Sequence, residues 1–305
     1  MNPSYSVDEI IDAFCRFDGT YRRAHVDAAL AVREEITPRL IGLLEMVRRK
    51  PDLYAEDEEF TGHTYAAMLL AYFRETRAHR LILDLFSLRD DLLDALWGDM
   101  ITEDLPTLLY RTCGGDLTQI KALAGNRRAN DYCRSSAATA LAYAAVDGVA
   151  PREDIVTFFG ALLDSDAAPD DSSWWGLLIG VASDLYPKEI LPQIRRAFDD
   201  DLVEEYMIGY EDIESALNAD PEAGIERLRA EMQRLMPDDF HGAMDWWVMF
   251  EEEPAAKPGS STMNVAPPAR LLAQGTQNVE DLTRQQRRKL ERQQAKAPKK
   301  AKKRR

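Results

Sequence analysis

Between the amino terminus and about Glu253, apolar positions recur at spacings of one, three and four. LILDLFSL, DIVTFFGALL and EILPQIRRAF each carry this pattern, which a helix with one buried face requires. Strand signals are nearly absent, since no run of β-branched residues is bounded by hairpin turns. The pattern also repeats. Ile82, Ile120, Ile155 and Ile190 open four similar short helices, separated by 38, 35 and 35 residues. Each follows a second apolar segment: YAAMLLAYF, EDLPTLLYRT, SSAATALAYAA and WWGLLIGVASDL. Two helices recurring every ~35–40 residues predict an all-α fold, a right-handed α-solenoid in which each helical hairpin buries its apolar face on its neighbours.

AALAVREEITPRLIGLLEMV adds another pair, with Thr37 as cap and Pro38 in the first turn of its second helix, making about five units. SVDEIIDAFCRF is expected to cap the amino-terminal end. DPEAGIERLRAEMQRLM, with Asp220 as N-cap and Pro221 at the first helical position, is expected to cap the other. Thr102 is placed to cap the helix beginning EDLP, and Asp147-Gly148 reads as a turn.

Charge divides the chain in two. The 305 residues are 45% hydrophobic and 30% charged, with a net charge of −15, a composition typical of soluble globular proteins. From Pro254 onward, however, 14 Lys and Arg face 3 Asp and Glu, a local +11 that leaves −26 on the preceding residues. The organisation predicted is an acidic helical-repeat domain at 1–253, a flexible Pro/Gly/Ser-containing linker at 254–280, and a basic, largely disordered tail at 281–305. Asp281 or Thr283 can start a helix in that tail. Only Leu282 and Leu290 offer large apolar contacts there, so such a helix is marginal without a partner.

No window approaches the ~18 apolar residues that cross a bilayer, and MNPSYSVDEI lacks the basic and apolar regions of a signal peptide. Cys15, Cys113 and Cys133 form no Cys-x-x-Cys pair and are too few for a disulfide framework. A cytoplasmic protein without membrane contact is expected.

HTYAAMLLAYFRETRAHRLILDLFSL, WGDMITEDLPTLLYRTCGGD, NDYCRSSAATALAYA and LYPKEILPQIRRAF resemble a bacterial family known as domain of unknown function 1186, related in pattern to HEAT-like helical repeats. The resemblance spans roughly Ala24 to Asp201. Its most specific pieces are His-x-Tyr-Ala from His63, Phe-Arg-Glu at Phe73 to Glu75, and the Gly-Asp pairs at Asp99 and Asp116. It implies a HEAT-like fold but no reaction. Some members end in a short Cys-rich metal-binding motif; the tail of this chain has neither cysteine nor histidine, which excludes a zinc site there.

Candidate chemistry is sparse. His25, His63, His79 and His241 are scattered, and His63 has no obvious (i, i+3) or (i, i+4) ligand partner. Both His63 and His79 read as capping or hydrogen-bonded side chains. Cys113-Gly114-Gly115-Asp116 lacks the Gly-Lys-Ser/Thr of a phosphate loop. It reads as a helix-to-helix turn, with Gly114 or Gly115 left-handed and Asp116 helping to cap the next helix. The carboxylates at Asp90, Asp91 and Asp94, at Asp166, Asp170 and Asp171, and at Asp199 to Asp201 match no calcium loop and read as solvated faces or caps. No catalytic, cofactor or metal residue is assigned.

The candidates for protein binding are Trp174, Trp175, Trp246, Trp247, Arg74 and Glu75. Adjacent tryptophans in a helix point about 100° apart, so one ring of each pair is expected near the surface, as a binding residue or in packing between repeats. Arg74 and Glu75 read as an inter-repeat ion pair or a ligand clamp.

Three functional readings follow. The first is a non-catalytic scaffold whose acidic surface takes a protein partner, with acidity suiting a basic one. The second is a tether to RNA, the ribosome or DNA. It uses Arg284, Arg287, Arg288, Lys289, Arg292, Lys296, Lys299, Lys300, Lys302, Lys303, Arg304 and Arg305, twelve basic residues against one acidic residue in 284–305, with phosphate contacts and no base specificity. The third, a lyase or hydroxylase, rests only on HEAT-like proteins that resemble bilin lyases; no metal cluster or base–nucleophile pair supports it.

Overall fold

The computed structural model describes residues 5–165, 167–204 and 206–250. The expected linker at 254–280 and basic tail at 281–305 lie outside them. Among the described residues every regular element is helical. In chain order these are α1 (Val7–Phe14), α2 (Arg23–Ala31), α3 (Arg33–Arg49), α4 (Pro51–Ala55), α5 (Gly62–Tyr72), α6 (His79–Leu85), α7 (Asp90–Trp97), α8 (Met100–Glu103) and α9 (Leu105–Thr112). They continue with α10 (Thr118–Ala124), α11 (Asp131–Val146), α12 (Arg152–Leu163), α13 (Trp174–Ser183), α14 (Leu191–Asp199), α15 (Tyr210–Asn218), α16 (Pro221–Leu235) and α17 (His241–Met244). Single 3-10 turns precede α6 and α14 and end the described chain at Val248–Phe250.

The predicted pairs are α5/α6, α9/α10, α11/α12 and α13/α14. Their first helices form a row in which α5 packs on α9, α9 on α11 and α11 on α13, and α3 from the preceding segment packs on α5. Residue type explains this order. In α5 every residue from Gly62 to Ala71 is buried, and α11 buries Ser136, Ala137, Ala138, Ala140 and the run Leu141–Ala144. Helices apolar all round must be covered on several sides, and their alanines and glycine allow close approach. The second helices are amphipathic instead: α14 buries Ile194 and Ala197 and turns Arg195 and Arg196 outward. The four repeated isoleucines are all in the core. At roughly 1.5–3 kcal/mol for each buried aliphatic side chain, this register strongly favours one alignment of neighbouring pairs.

Caps agree with the sequence at several ends. Ser6 and Glu9 form a reciprocal capping box on α1, Asn130 caps α11, and Asp220 accepts from the Glu222 amide with Pro221 at the first position of α16. Gly114 and Gly115 have φ of 61° and 88°, and Asp116 accepts from the Thr118 amide at 3.0 Å, as the turn reading requires.

Three expectations are corrected. Pro38 does not start a helix: α3 begins at Arg33 and runs through it, and Thr37 donates to the Arg33 carbonyl at 2.7 Å. The buried stripe Ile36, Leu40, Leu43, Leu44 and Val47 outweighs the ~3 kcal/mol cost of an internal proline. Thr102 does not cap α9, because it lies in α8 and donates to the Asp99 carbonyl. Finally, α16 is not confined to the end of the array. It packs on α11, and the residues after it reach the amino-terminal helices. Tyr72 donates to the Asp238 carbonyl at 2.7 Å, Arg23 pairs with Asp245, and Phe250 packs beside Tyr21 and Tyr65. Residues 236–250 thus form an arm laid back along α5.

Candidate functional site

A cleft of about 410 Å³ opens where this arm meets the α4–α5 loop, the start of α5 and the segment from α7 to α9. Its floor is aromatic. His63 stacks on Phe60 (centroids 5.4 Å apart) and meets Trp97 edge-on at 4.8 Å, while Phe60 packs on Tyr54 and Trp97 on Phe86. Close approach at the start of α5 makes this possible. A Cβ on Gly62 would lie 2.9 Å from Cys15 Sγ and 3.1 Å from the Phe60 ring, so any larger residue here must displace one of them.

His63 is 5% exposed, and its Nε2 lies 2.5 Å from the Leu96 carbonyl oxygen. A carbonyl only accepts, so in the neutral ring Nε2 carries the proton and Nδ1 is an acceptor. Among the described residues that Nδ1 has no partner, and neither does Nε1 of buried Trp97. Burial pushes the His63 pKa down to about 4, which keeps the ring neutral at physiological pH.

Five carboxylates line the same cleft: Asp57, Glu58, Asp99, Glu103 and Asp104. No Lys or Arg does. Asp104 precedes α9 without making a side-chain cap; burial, with the Glu103 charge adding to it, pushes its carboxyl up to about 7. Beyond Glu103, Asp104 and Trp246 a second cavity of about 300 Å³ continues, reaching Tyr143 and the Glu231 and Arg234 of α16.

Of the residues singled out in the sequence, Trp246 and Trp247 line this cleft. Trp246 is 52% exposed, and Trp247 is half-buried and stacked near Phe250. The other pair is corrected: Trp174 is 0% and Trp175 4% exposed, so neither presents a ring to a partner. The guanidinium of buried Arg134 sits 3.9 Å over Trp174, and Trp175 Nε1 donates to the Pro169 carbonyl. The loop before α13 thus packs on Trp175, and its Ala167 and Ala168 are buried. Among the described residues the ion pair of Glu75 is with Arg77 of its own turn and not between repeats. Glu75 caps its own 3-10 turn and binds Arg77, whose hydrogen bonds hold its carboxyl down to about 2. Arg74, at φ 54° and exposed, forms the bend before it.

His63 and His79 are hydrogen-bonded as expected, His79 to Thr112 at 2.9 Å. The thiols do not offer nucleophiles: burial raises Cys15 to about 11, Cys133 to about 12, and Cys113 in the same direction. Among the described residues no three His, Cys, Asp or Glu side chains are placed to hold a metal ion. The basic residues from Arg284 to Arg305 lie outside the described residues. Sequence reasoning missed Trp97, Glu103 and Asp104 and left His63 without a role; only the adjacency of Glu103 and Asp104 to a Pro-led helix was a visible signal.

A model of the family described as protein of unknown function DUF1186 matches residues 5–251. The chain belongs to that family. The match takes in α1 to α17 and therefore includes the arm and both walls of the cleft. Relatives include an uncharacterized protein of Chlamydia trachomatis, 34% identical over 214 residues, covering 70% of this chain and 84% of the relative. Another is an uncharacterized protein of Chlamydia muridarum, 32% identical over 212 residues, covering 70% and 85%. No solved structure matches the chain significantly. Among the described residues of this DUF1186 member, no helix is long and apolar enough to cross a membrane.

Proposed function

We propose that this DUF1186 protein is a non-catalytic interaction scaffold of the cytoplasm, a right-handed α-solenoid of HEAT-like hairpins that takes a basic protein partner on its acidic surface. The observation that carries this reading is the cleft's lining, which among the described residues has five carboxylates, aromatic walls and no Lys or Arg. Like charges gathered at one concave site attract and orient an oppositely charged partner. The row of pairs α5/α6 to α13/α14 supports the solenoid, since each pair meets its sequence neighbours. Thiols held protonated by their surroundings, with no cysteine among the described residues that line the cleft, favour binding over chemistry.

The test is fluorescence anisotropy with a labelled twelve-residue polylysine peptide at low salt. Binding that falls at least about tenfold in the triple variant Asp57→Arg, Glu58→Arg, Glu103→Arg is expected from three charge reversals at the docking surface. Equal binding by the variant overturns the reading.

A second reading rests on the twelve basic residues of 284–305: an adaptor tethered to RNA or the ribosome. Replacing those residues by Gln should lower RNA affinity and flatten its salt dependence, because log affinity falls in proportion to the number of phosphates neutralised. An unchanged salt slope overturns it.

A further inference from the structure

At the end of α5 away from the cleft, the chain bends at Arg74. The Arg74 amide bonds back to the Ala71 carbonyl and the Glu75 amide to the Leu70 carbonyl, each at 2.9 Å, the Schellman arrangement that ends a helix through one left-handed residue. Glycine usually fills that position, because a Cβ is strained there. Here it is arginine, at φ 54°. The helix end would be served better by glycine, and strain of this kind gathers at functional positions.

A second arginine stands beside it. Helix α5 packs on α9, and the guanidinium of Arg111, in the last turn of α9, lies 5.6 Å from the centre of the Tyr72 ring. The turn after α9 comes so near that a Cβ on Gly114 would meet the Thr76 methyl at 2.8 Å. Arg74 lies between Tyr72 and Thr76, so both guanidiniums belong to one patch; burial, and after it the charge of Arg74, lowers the Arg111 pKa. Arg33 adds a third positive charge, 5.1 Å over the Phe73 ring and donating to the Phe73 carbonyl.

The patch lacks its counter-charge. Most arginines among the described residues are ion-paired, whereas Arg33, Arg74 and Arg111 are not. Glu75 is held by Nε and Nη2 of Arg77, and the Tyr110 hydroxyl near Arg74 is held to Asp147. Asp238 acts on Arg111 only through its field. Arg74 is exposed, and of the three guanidinium nitrogens of Arg111 only Nε is shut off from solvent. The donors that remain are therefore within reach of a ligand. Cations at helix carboxy termini commonly offset the helix dipole, but that role calls for neither a left-handed arginine nor two guanidiniums that repel each other.

An anion would satisfy both. A carboxylate answers one of the two charges, whereas a phosphate monoester carries nearly two at neutral pH and has three acceptor oxygens, enough for a fork from each side. Arginine, with its planar set of donors, suits such two-point contacts better than lysine.

We propose that Arg74 and Arg111 form a phosphate-monoester site at the carboxy-terminal end of α5, with Arg33 as a flanking charge. It lies roughly 15 Å along α5 from the cleft, at about 1.5 Å per residue, and takes a ligand of opposite sign, so it goes beyond the basic-partner reading and does not depend on it.

Isothermal titration calorimetry with the full chain in phosphate-free buffer tests the site, using a seven-residue Gly/Ser peptide with phosphoserine, serine or aspartate at its centre, and free O-phosphoserine. The phosphoserine peptide should bind at least about tenfold more tightly than the serine peptide and about fivefold more tightly than the aspartate peptide. Arg111→Gln should weaken it about fivefold or more. Arg74→Gly should weaken it as much while raising the melting temperature of the free protein by about 2–4 °C, since glycine relieves the left-handed strain. A purely structural Arg74 gives the reverse, a change in stability with none in binding. Asp238→Asn removes the acid that acts on Arg111 and should tighten the phosphoserine peptide about twofold. Phosphate held by the basic residues of 284–305 is common to all variants and subtracts out. Where circular dichroism shows Arg111→Gln unfolded, Arg74→Gly decides.

Phosphoserine-peptide binding unchanged in Arg74→Gly, or no tighter than that of the aspartate peptide, overturns the site. A preference for the peptide over free O-phosphoserine assigns it to a phosphorylated partner protein and equal affinity to small phosphorylated molecules; both results uphold the site. Loss of polylysine binding overturns the scaffold reading alone and leaves this site standing.

Discussion

His241 Nε2 lies 2.9 Å from Asp27 Oδ1, joining residues 214 positions apart. Because a carboxylate only accepts, Nε2 carries a proton, and Nδ1 meets the Tyr21 hydroxyl at 2.9 Å on the other side of the ring. The imidazole therefore pins the arm carrying Trp246 and Trp247 onto α2 and the turn before it. Arg23 to Asp245 adds a second tie. Without these contacts the arm has few apolar anchors, chiefly Phe240, Met244 and Phe250, and one wall of the cleft depends on it.

Asp27→Ala and His241→Ala should therefore each cost about 1 kcal/mol, and the double variant should cost less than their sum, because both remove the same bond. Hydrogen exchange across 236–250 should accelerate in both, ahead of the row from α5 to α13. Unchanged exchange in the arm would show that the apolar anchors alone hold it.

How much of this was legible varied with the range of the interaction. Features set by a few consecutive residues were readable: Asp220 before Pro221, the Gly114-Gly115-Asp116 turn, and the four buried isoleucines at one place in each pair. Features set by coverage from distant chain were not. Trp174 and Trp175 point apart on α13, which predicts one exposed ring; both are buried, Trp174 under Arg134 of α11 and Trp175 against Pro169 of the preceding loop. Pro38 reads as a helix start, yet packing of α3 on α5 carries the helix through it. The cleft is the extreme case. It joins residues near 57, 63, 97, 104 and 246, and periodicity holds no information about an arm that returns across the array.

Arg134 is 0% exposed beneath Trp174, with Nε on the Ala124 carbonyl at 3.2 Å, Nη2 on the Ala167 carbonyl at 3.0 Å and Nη1 on Asp131. Arg134→Met should lose about 3–5 kcal/mol in urea unfolding, since two carbonyls and a carboxylate lose their donor. Arg134→Lys should recover little, because one ammonium cannot reach all three acceptors while stacking on the ring. Full recovery by lysine would reduce the role of Arg134 to charge alone.

Asp104 gives a stability signature in pH. Its carboxyl, near 3.8 in an ordinary setting, is raised to about 7, so the folded chain holds that proton more tightly than the unfolded chain. The corresponding stability is present below the unfolded value and is lost as pH rises through the folded one. Asn at this position does not titrate. Asp104→Asn should thus gain on the wild type between about pH 4 and pH 7, by roughly 2–4 kcal/mol in all, and hold the gain above. Urea midpoints at the two ends of that window measure it; parallel curves would place Asp104 in water.

Gly62 supports the same cleft from below. Its backbone is helical, so the constraint is steric: an added methyl would meet Cys15 Sγ at 2.9 Å and the Phe60 ring at 3.1 Å. Phe60 is the ring on which His63 stacks, and a shift of Phe60 would move the His63 imidazole as well. Gly62→Ala should destabilise the fold by about 1–3 kcal/mol, the usual cost of overpacking. Cys15→Ala removes one of the two obstacles and should return part of that loss, with a coupling of about 0.5 kcal/mol or more in a double-mutant cycle. Phe60 remains in the way, so recovery should be incomplete, and the near-ultraviolet circular dichroism of the aromatic floor should stay altered in the double variant. Complete recovery of both stability and spectrum would show that the sulfur alone closes the position and that Phe60 can move without disturbing His63.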